Sequence, residues 1–271
     1  MINAPSKIAS RIISGIKNYQ PIINSAKSRD INESDTVIIV TDMLNDIFGY
    51  DKYADVTSEH AIRGTYCDLA IKVDGSLAML IEVKAIGLEL KDQYVKQAVD
   101  YAANQGVEWV ILTNALMWRI YHVTFCKPIE HDLVLEISFP DINHKNQSDI
   151  DMLWLLAKEG WKKTCLDNYH EQRQVLSRYT FAALMLSDQV INILRKELRK
   201  IAPDIKIEPA QISDVLSQEV IKREVLEGDK AVTAKRLVTR TAKKSRKNTG
   251  STQSGQQPEL KTPDNSNGES S

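Results

Sequence analysis

The chain reads as an α/β protein: a mixed sheet flanked by helices, then a helical extension and a disordered tail. Three observations predict this. Short apolar, β-branched runs at 66–73, 77–83, 109–113, 117–123 and 133–139 have the length and composition of strands. Apolar residues return at helical spacing at Val37, Val40, Leu44 and Ile47, and a second helix is predicted over 90–104. After Pro140 no strand run recurs, and from Asp229 bulky apolar residues almost vanish.

In order, 1–30 is an N-terminal amphipathic helix, with Ile8, Ile12, Ile13 and Ile16 on one side and Lys7, Arg11 and Lys17 on the other. A signal peptide is excluded because charge interrupts the apolar stretch. The α/β domain covers 31–140. Its first helix runs over 34–48 and is closed by Gly49. A polar, irregular stretch follows to Arg63, with a short strand near Val56. Next come two strands joined at Asp74-Gly75, a pair that favours tight turns because glycine tolerates positive φ. The helix 90–104 ends at Gly106, and a strand at 109–113 precedes two edge strands. A linker rich in Asn, Asp and Ser leads to the helical extension, 148–228, with helices through 157 and at 166–186, 187–201 and 209–226. The tail, 229–271, carries a basic run that includes Lys243, Lys244, Arg246 and Lys247.

With 271 residues and 42% hydrophobic content, one ordinary domain with appendages, or two small ones, can bury a core. A net charge of −1 means that any nucleic-acid surface is local. Cys67, Cys126 and Cys165 are odd in number and lack C-x-x-C spacing, which fits a reducing cytoplasm and argues against a zinc site. No apolar run approaches the ~20 residues of a membrane span, and there is no phosphate-binding Gly-Lys-Ser/Thr loop.

The chemistry sits in the hairpin. Asp68, Glu82 and Lys84 interrupt its apolar run, and charges in a buried strand are costly unless paired or bound to metal. Two acids and one lysine leave net negative charge, which a divalent cation would balance; a buried ion-pair cluster is the bland alternative. Register decides whether both acids can share an ion. A two-residue loop pairs Val73 with Ser76 and Asp68 with Ile81, which puts the acids on opposite faces. Holding both on one face requires an odd loop or a β-bulge, and we expect a three-residue loop, Asp74-Gly75-Ser76. It would set Asp68 opposite Glu82, with carboxylates roughly 4–6 Å apart and Lys84 on the same side.

These residues carry a resemblance. Asn32-Glu33-Ser-Asp, Asp68, Ile81-Glu82-Val83-Lys84, Gln97-x-x-x-Tyr101-Ala102, and Val110-Ile-Leu-Thr-Asn114 with Trp118-Arg-Ile-Tyr121 occur in that order. Together they resemble the PD-(D/E)XK nuclease superfamily, and are similar to the N-terminal nuclease domain of type I restriction enzyme R subunits, over roughly residues 30 to 125. Asn114 is followed by Ala115, where that family often has Gly. The resemblance implies a restriction-endonuclease-like core (αβββαβ). It implies Mg²⁺, with Mn²⁺ as a substitute, held by Asp68, Glu82, the Val83 carbonyl and Glu33. Lys84 would orient or help deprotonate the attacking water, and Gln97 would help hold Lys84 or that water. Tyr101 would touch the DNA backbone; by their charge, outside the resemblance, Arg63 would steer DNA and the basic run Lys243, Lys244, Arg246 and Lys247 would contact phosphates. A solvated Gln97, a packed Tyr101, an ordinary cap acid at Glu33 and a solubilising tail are the competing readings.

The expected function is a Mg²⁺-dependent DNA endonuclease resembling the restriction nuclease module without its motor. Other restriction or repair subunits, or a second copy, would be its partners, with no membrane. The alternative is a non-catalytic DNA-binding or assembly subunit on the same fold; nuclease action on RNA is a third reading.

Overall fold

The computed structural model describes residues 3–62 and 65–249, with 59–62, 65, 66 and 242–249 described by backbone alone. Residues 1–170 and 171–271 form two compact units.

The first unit is built on one six-stranded sheet, β1 (Val56–Ile62), β2 (Thr65–Val73), β3 (Ser76–Val83), β4 (Trp109–Thr113), β5 (Met117–Thr124) and β6 (Glu130–Ser138), ordered as in the chain. Every neighbouring pair is antiparallel except β3–β4. A parallel pair needs a crossover, and helix α3 supplies it here. Helices α1 (Ser6–Ser28) and α2 (Glu33–Asp46) precede the sheet, and α3 is Asp92–Gln105. The helix–strand order from α2 to β4 is thus the expected one, on a mixed α/β sheet.

Alternation along the strands fills two cores. Leu69, Ile71, Ile81, Val83, Ile111 and Trp118 face the layer of α1 and α2 and pack with Ile12, Ile16, Ile23, Val40, Met43 and Leu44. Ala70, Leu80, Val110 and Leu112 face the other way, onto Val95, Ala98, Val99 and Ala102 of α3. The N-terminal helix is therefore part of the sheet's main core. Gly49 and Gly106 both take positive φ after the helices they were expected to close.

The hairpin corrects one expectation. Its loop has two residues, Asp74 and Gly75 at φ 51° and 82°, with Val73 paired to Ser76. A β-bulge follows: Lys72 pairs with Leu77 but Ile71 with Met79, so Ala78 is the extra residue. The ladder then reads Ala70–Leu80 and ends at Leu69–Ile81, a register that leaves Asp68 and Glu82 on the same face of the sheet. The bulge does what a three-residue loop was expected to do.

Beyond the sheet, α4 (Gln147–Trp154), α5 (Lys158–Trp161) and α6 (Cys165–Val175) follow, and Ile150, Leu153, Trp154 and Leu166 join the main core. The second unit contains α7 (Arg178–Met185), α8 (Asp188–Ile201), α9 (Pro209–Val215), α10 (Arg223–Leu226) and α11 (Asp229–Thr249). The expected helix over 166–186 breaks because the Ser177 hydroxyl caps a new one at Thr180 N. Residues 229–249 were expected to be disordered. They form a helix instead, with Ala231 and Ala234 buried and α7 packed against it. Two alanines one turn apart let a polar helix approach closely without bulky apolar residues. Residues 250–271 lie outside the described residues. No described helix is long and apolar enough to cross a membrane.

Candidate nuclease site

Four elements bring the charged residues together. β3 delivers Glu82 and Val83 at its C-terminal end, and Lys84 is the next residue. Beside it, β4 anchors the backbone: Lys84 N donates to Thr113 O at 2.8 Å. On the other side the β2–β3 ladder stops at Leu69–Ile81, and the Asp68 carboxylate takes the Val83 N–H at 2.7 Å. A side chain thus replaces a backbone partner where the strands part. Glu33 comes from the first turn of α2, whose N-terminal dipole favours a carboxylate there. Asn32 caps that turn through Asp35 N at 2.9 Å.

Three oxygens converge on the Lys84 ammonium. Nζ lies 2.7 Å from Glu82 Oε1, 3.0 Å from the Val83 carbonyl and 3.4 Å from Glu33 Oε2. Glu82 is 8% exposed, so this is a half-enclosed niche rather than open surface.

The electrostatics follow from three carboxylates facing one cation. Burial pushes Glu82 above the ordinary carboxylate range; Lys84 pulls it back, but Asp68 and Glu33 push the same way as burial. Burial works to lower Lys84, yet the hydrogen bond and charge of Glu82, with Asp68 and Glu33 behind them, outweigh it and its pKa is raised. Both groups hold their protons more tightly than usual, which marks a site short of positive charge. Below it lies Cys67, whose thiol burial and the Glu82 charge push up to about 12.

The other predicted residues are placed differently. Gln97, on α3, is exposed and has no hydrogen bond to Lys84 among the described residues. Tyr101, one turn on, is 2% exposed and packs in the α3 core, so it presents no surface to a DNA backbone. Arg63 lies outside the described residues. Lys243, Lys244, Arg246 and Lys247 fall on α11, but their side chains also lie outside the description. No group of three or more His, Cys, Asp or Glu side chains gathers as a metal site among the described residues. The oxygen set here is carboxylates plus a carbonyl.

Sequence reasoning placed Asn114 in the motif but gave it no role. Its side-chain amide donates to Ile86 O at 3.3 Å and Leu88 O at 2.9 Å, while Oδ1 accepts from Leu116 N and Met117 N. One buried side chain so fastens the segment just after Lys84 to the β4–β5 turn. The available signal was an Asn at the end of a strand, a turn former through its own side chain. The next residue, Ala115, sits at φ 66°, a left-handed conformation that explains why glycine would suit the position. A groove of about 590 Å³ at the hairpin tip, lined by Val73, Ser76, Trp109 and Trp161 among others, lies away from these groups. It is five residues, roughly 17 Å, along β2 from Asp68.

Residues 40–136 match the family model described as the type I restriction enzyme R protein N terminus. The match spans Asp68, Glu82, Lys84, Gln97 and Asn114, and leaves out Glu33 and the second unit. No curated protein and no solved structure matches the chain.

Proposed function

We propose that the first unit is a Mg²⁺-dependent DNA endonuclease, a restriction-type nuclease module that hydrolyses phosphodiester bonds. The observation that carries this is the convergence of Glu82 Oε1, Val83 O and Glu33 Oε2 on a single cation, with Asp68 adjoining. The same oxygens that surround an ammonium suit a hard cation taking carboxylate and carbonyl ligands and keeping waters. Asp68, Glu82, the Val83 carbonyl and Glu33 would hold Mg²⁺, with Mn²⁺ as a substitute. Bound there, the ion supplies Lewis-acid stabilisation and a more acidic water.

The chain's own residues set the rest. With its pKa raised, Lys84 is an ammonium at neutral pH. Its place beside Glu82 and the Val83 carbonyl suits charge compensation and orientation at the phosphate or the attacking water. Gln97 is free to reach substrate or water from the rim of α3. Asn114 and the Thr113 carbonyl hold Lys84 and the turn after it in place. Three free cysteines agree with a reducing cytoplasm, where restriction or repair subunits would be its partners.

The test is cleavage of plasmid and single-stranded DNA with Mg²⁺, Mn²⁺ or EDTA, beside Lys84→Ala. Cleavage in Mg²⁺ or Mn²⁺ but not in EDTA, reduced about 10²-fold or more in Lys84→Ala, is expected. Calorimetry should show divalent-ion binding that Asp68→Asn or Glu82→Gln removes. Equal ion binding by all three proteins would sink the metal assignment. The buried Tyr101 and the unengaged Gln97 favour a second reading, a DNA-binding or assembly subunit; DNA binding with no cleavage in either metal would decide for it.

A further inference from the structure

We propose that the solvent face of α11 is a binding surface for the phosphate backbone of duplex DNA, separate from the carboxylate site. Charge is divided unequally along the chain. Residues 1–170 hold 17 Lys and Arg against 23 Asp and Glu, a net of −6; residues 171–271 hold 18 against 13, a net of +5. The unit with the candidate nuclease site thus carries net negative charge, and the excess of positive charge that favours a polyanion at long range lies in the other unit.

Within that unit the excess is concentrated on α11, where residues 229–249 contain eight Lys and Arg and one acid, Asp229. The helix buries Ala231 and Ala234, half-buries Val238, and exposes Lys235, Arg236 and Arg240. At about 100° per residue these three cations fan over about 140°, from Lys235 beside Ala231 to Arg236 and Arg240 on the face opposite the alanines. None of them joins an ion pair among the described residues. The sequence repeats the spacing at Lys243 and Lys247, whose side chains lie outside the description, so the line Arg236, Arg240, Lys243, Lys247 would span roughly 16 Å of helix. Like charges one turn apart destabilise a helix. A surface built this way is favoured when a polyanion neutralises it.

The choice of duplex rests on what else the face carries. It has no aromatic residue, which single-strand binding uses for stacking. Its exposed apolar residues, Val232 within the basic fan and Leu237 about 60° beyond it, stand singly and give no stripe to insert into a lipid interface. A helix 10–12 Å wide fits the major groove, and cations fanned over more than a third of its circumference reach phosphates on both sides.

The experiment uses the full chain in EDTA, so that the outcome is independent of cleavage. Fluorescence anisotropy with a 20-bp duplex is followed from low to physiological salt. In Lys235→Gln/Arg236→Gln/Arg240→Gln the log–log salt slope should become shallower by about 2.7, with affinity at least tenfold lower. The charge-conserving Lys235→Arg/Arg236→Lys/Arg240→Lys should keep the slope. Independently of any variant, duplex should raise the far-UV helical signal of the wild-type chain. An unchanged slope, no helical gain, or tighter binding to phosphatidylserine vesicles or polyglutamate than to the duplex would each overturn the proposal.

Discussion

Glu82 and Lys84 show what a site short of cations costs the fold. Glu82's pKa is raised in the folded chain. The stability it contributes is therefore present below its unfolded value near 4.5 and lost as pH rises through the folded value. In EDTA, the stability of wild type relative to Glu82→Gln should fall as pH rises from about 4.5 and then level off, as read by urea denaturation. Lys84, also raised, contributes throughout this range and loses its part only in strongly alkaline solution. Saturating Mg²⁺ at neutral pH should stabilise wild type and leave Glu82→Gln unmoved. Ala115 makes a second case. Relief of its left-handed backbone is worth about 1–2 kcal/mol, against about 0.8 kcal/mol for a buried methyl and 0.5–1 for glycine's entropy. Ala115→Gly should thus lie within about 1 kcal/mol of wild type, whereas Ala115→Val should cost more than about 2 kcal/mol. The positions of Asp68, Glu82 and Lys84 were legible because charge in an apolar strand pattern demands a reason. Tyr101 was misplaced because four-residue spacing fixes a helix face but not where that face crosses from core to solvent.

At the scale of elements, the hairpin shows how far local sequence reaches. Asp74-Gly75 signals the two-residue turn correctly, and by itself that turn would put Asp68 opposite Ile81. The bulge at Ala78 shifts the register so that Asp68 and Glu82 share a face, and nothing in Leu77-Ala78-Met79 announces where it falls. It arises from how each side of the hairpin must face its own core: Ile71 and Met79 belong to one cluster, Ala70 and Leu80 to the other. Tertiary demand of the same kind fixes α1. Arg11 makes paired hydrogen bonds of 2.7 Å to both Glu159 oxygens and others to the Ile47 and Phe48 carbonyls, joining α1, the end of α2 and α5. The hydrogen bond from Arg11 holds Glu159 below the usual carboxylate range. That contribution is present above its unfolded value near 4.5 and lost as pH falls through the depressed folded value. Glu159→Gln should cost about 1 kcal/mol at pH 7, discounted for partial exposure, and less at pH 3, the cost shrinking as pH falls below about 4.5. An equal loss at both pH values in thermal melts would mean that Arg11 acts through packing alone.

Across the whole molecule, the sheet and its flanking helices followed from periodicity, because each strand and helix buries one face and must repeat at 2 or 3.6 residues. The division of the chain did not follow, since polar helices such as α11 dock on small residues that carry no hydrophobic signal. Both large cores draw on residues before 170, and the cluster around Ile191, Ile212 and Leu216 lies wholly beyond it. A chain cut after Leu176, at the break between α6 and α7, should therefore keep the sheet and its helices intact. It also retains Glu33, Asp68, Glu82 and Lys84 while discarding the net positive part of the sequence. We expect fragment 1–176 to melt cooperatively and to bind Mg²⁺ like the full chain, because no donor oxygen has been removed. Its affinity for duplex in EDTA should fall at least tenfold, with most of the salt dependence gone, since the remaining surface is net negative. Calorimetry and anisotropy on one preparation separate the outcomes. A fragment that fails to melt cooperatively would show that 1–170 does not stabilise itself. One that melts and binds ion but keeps the full salt slope would place the DNA-binding cations in the first unit.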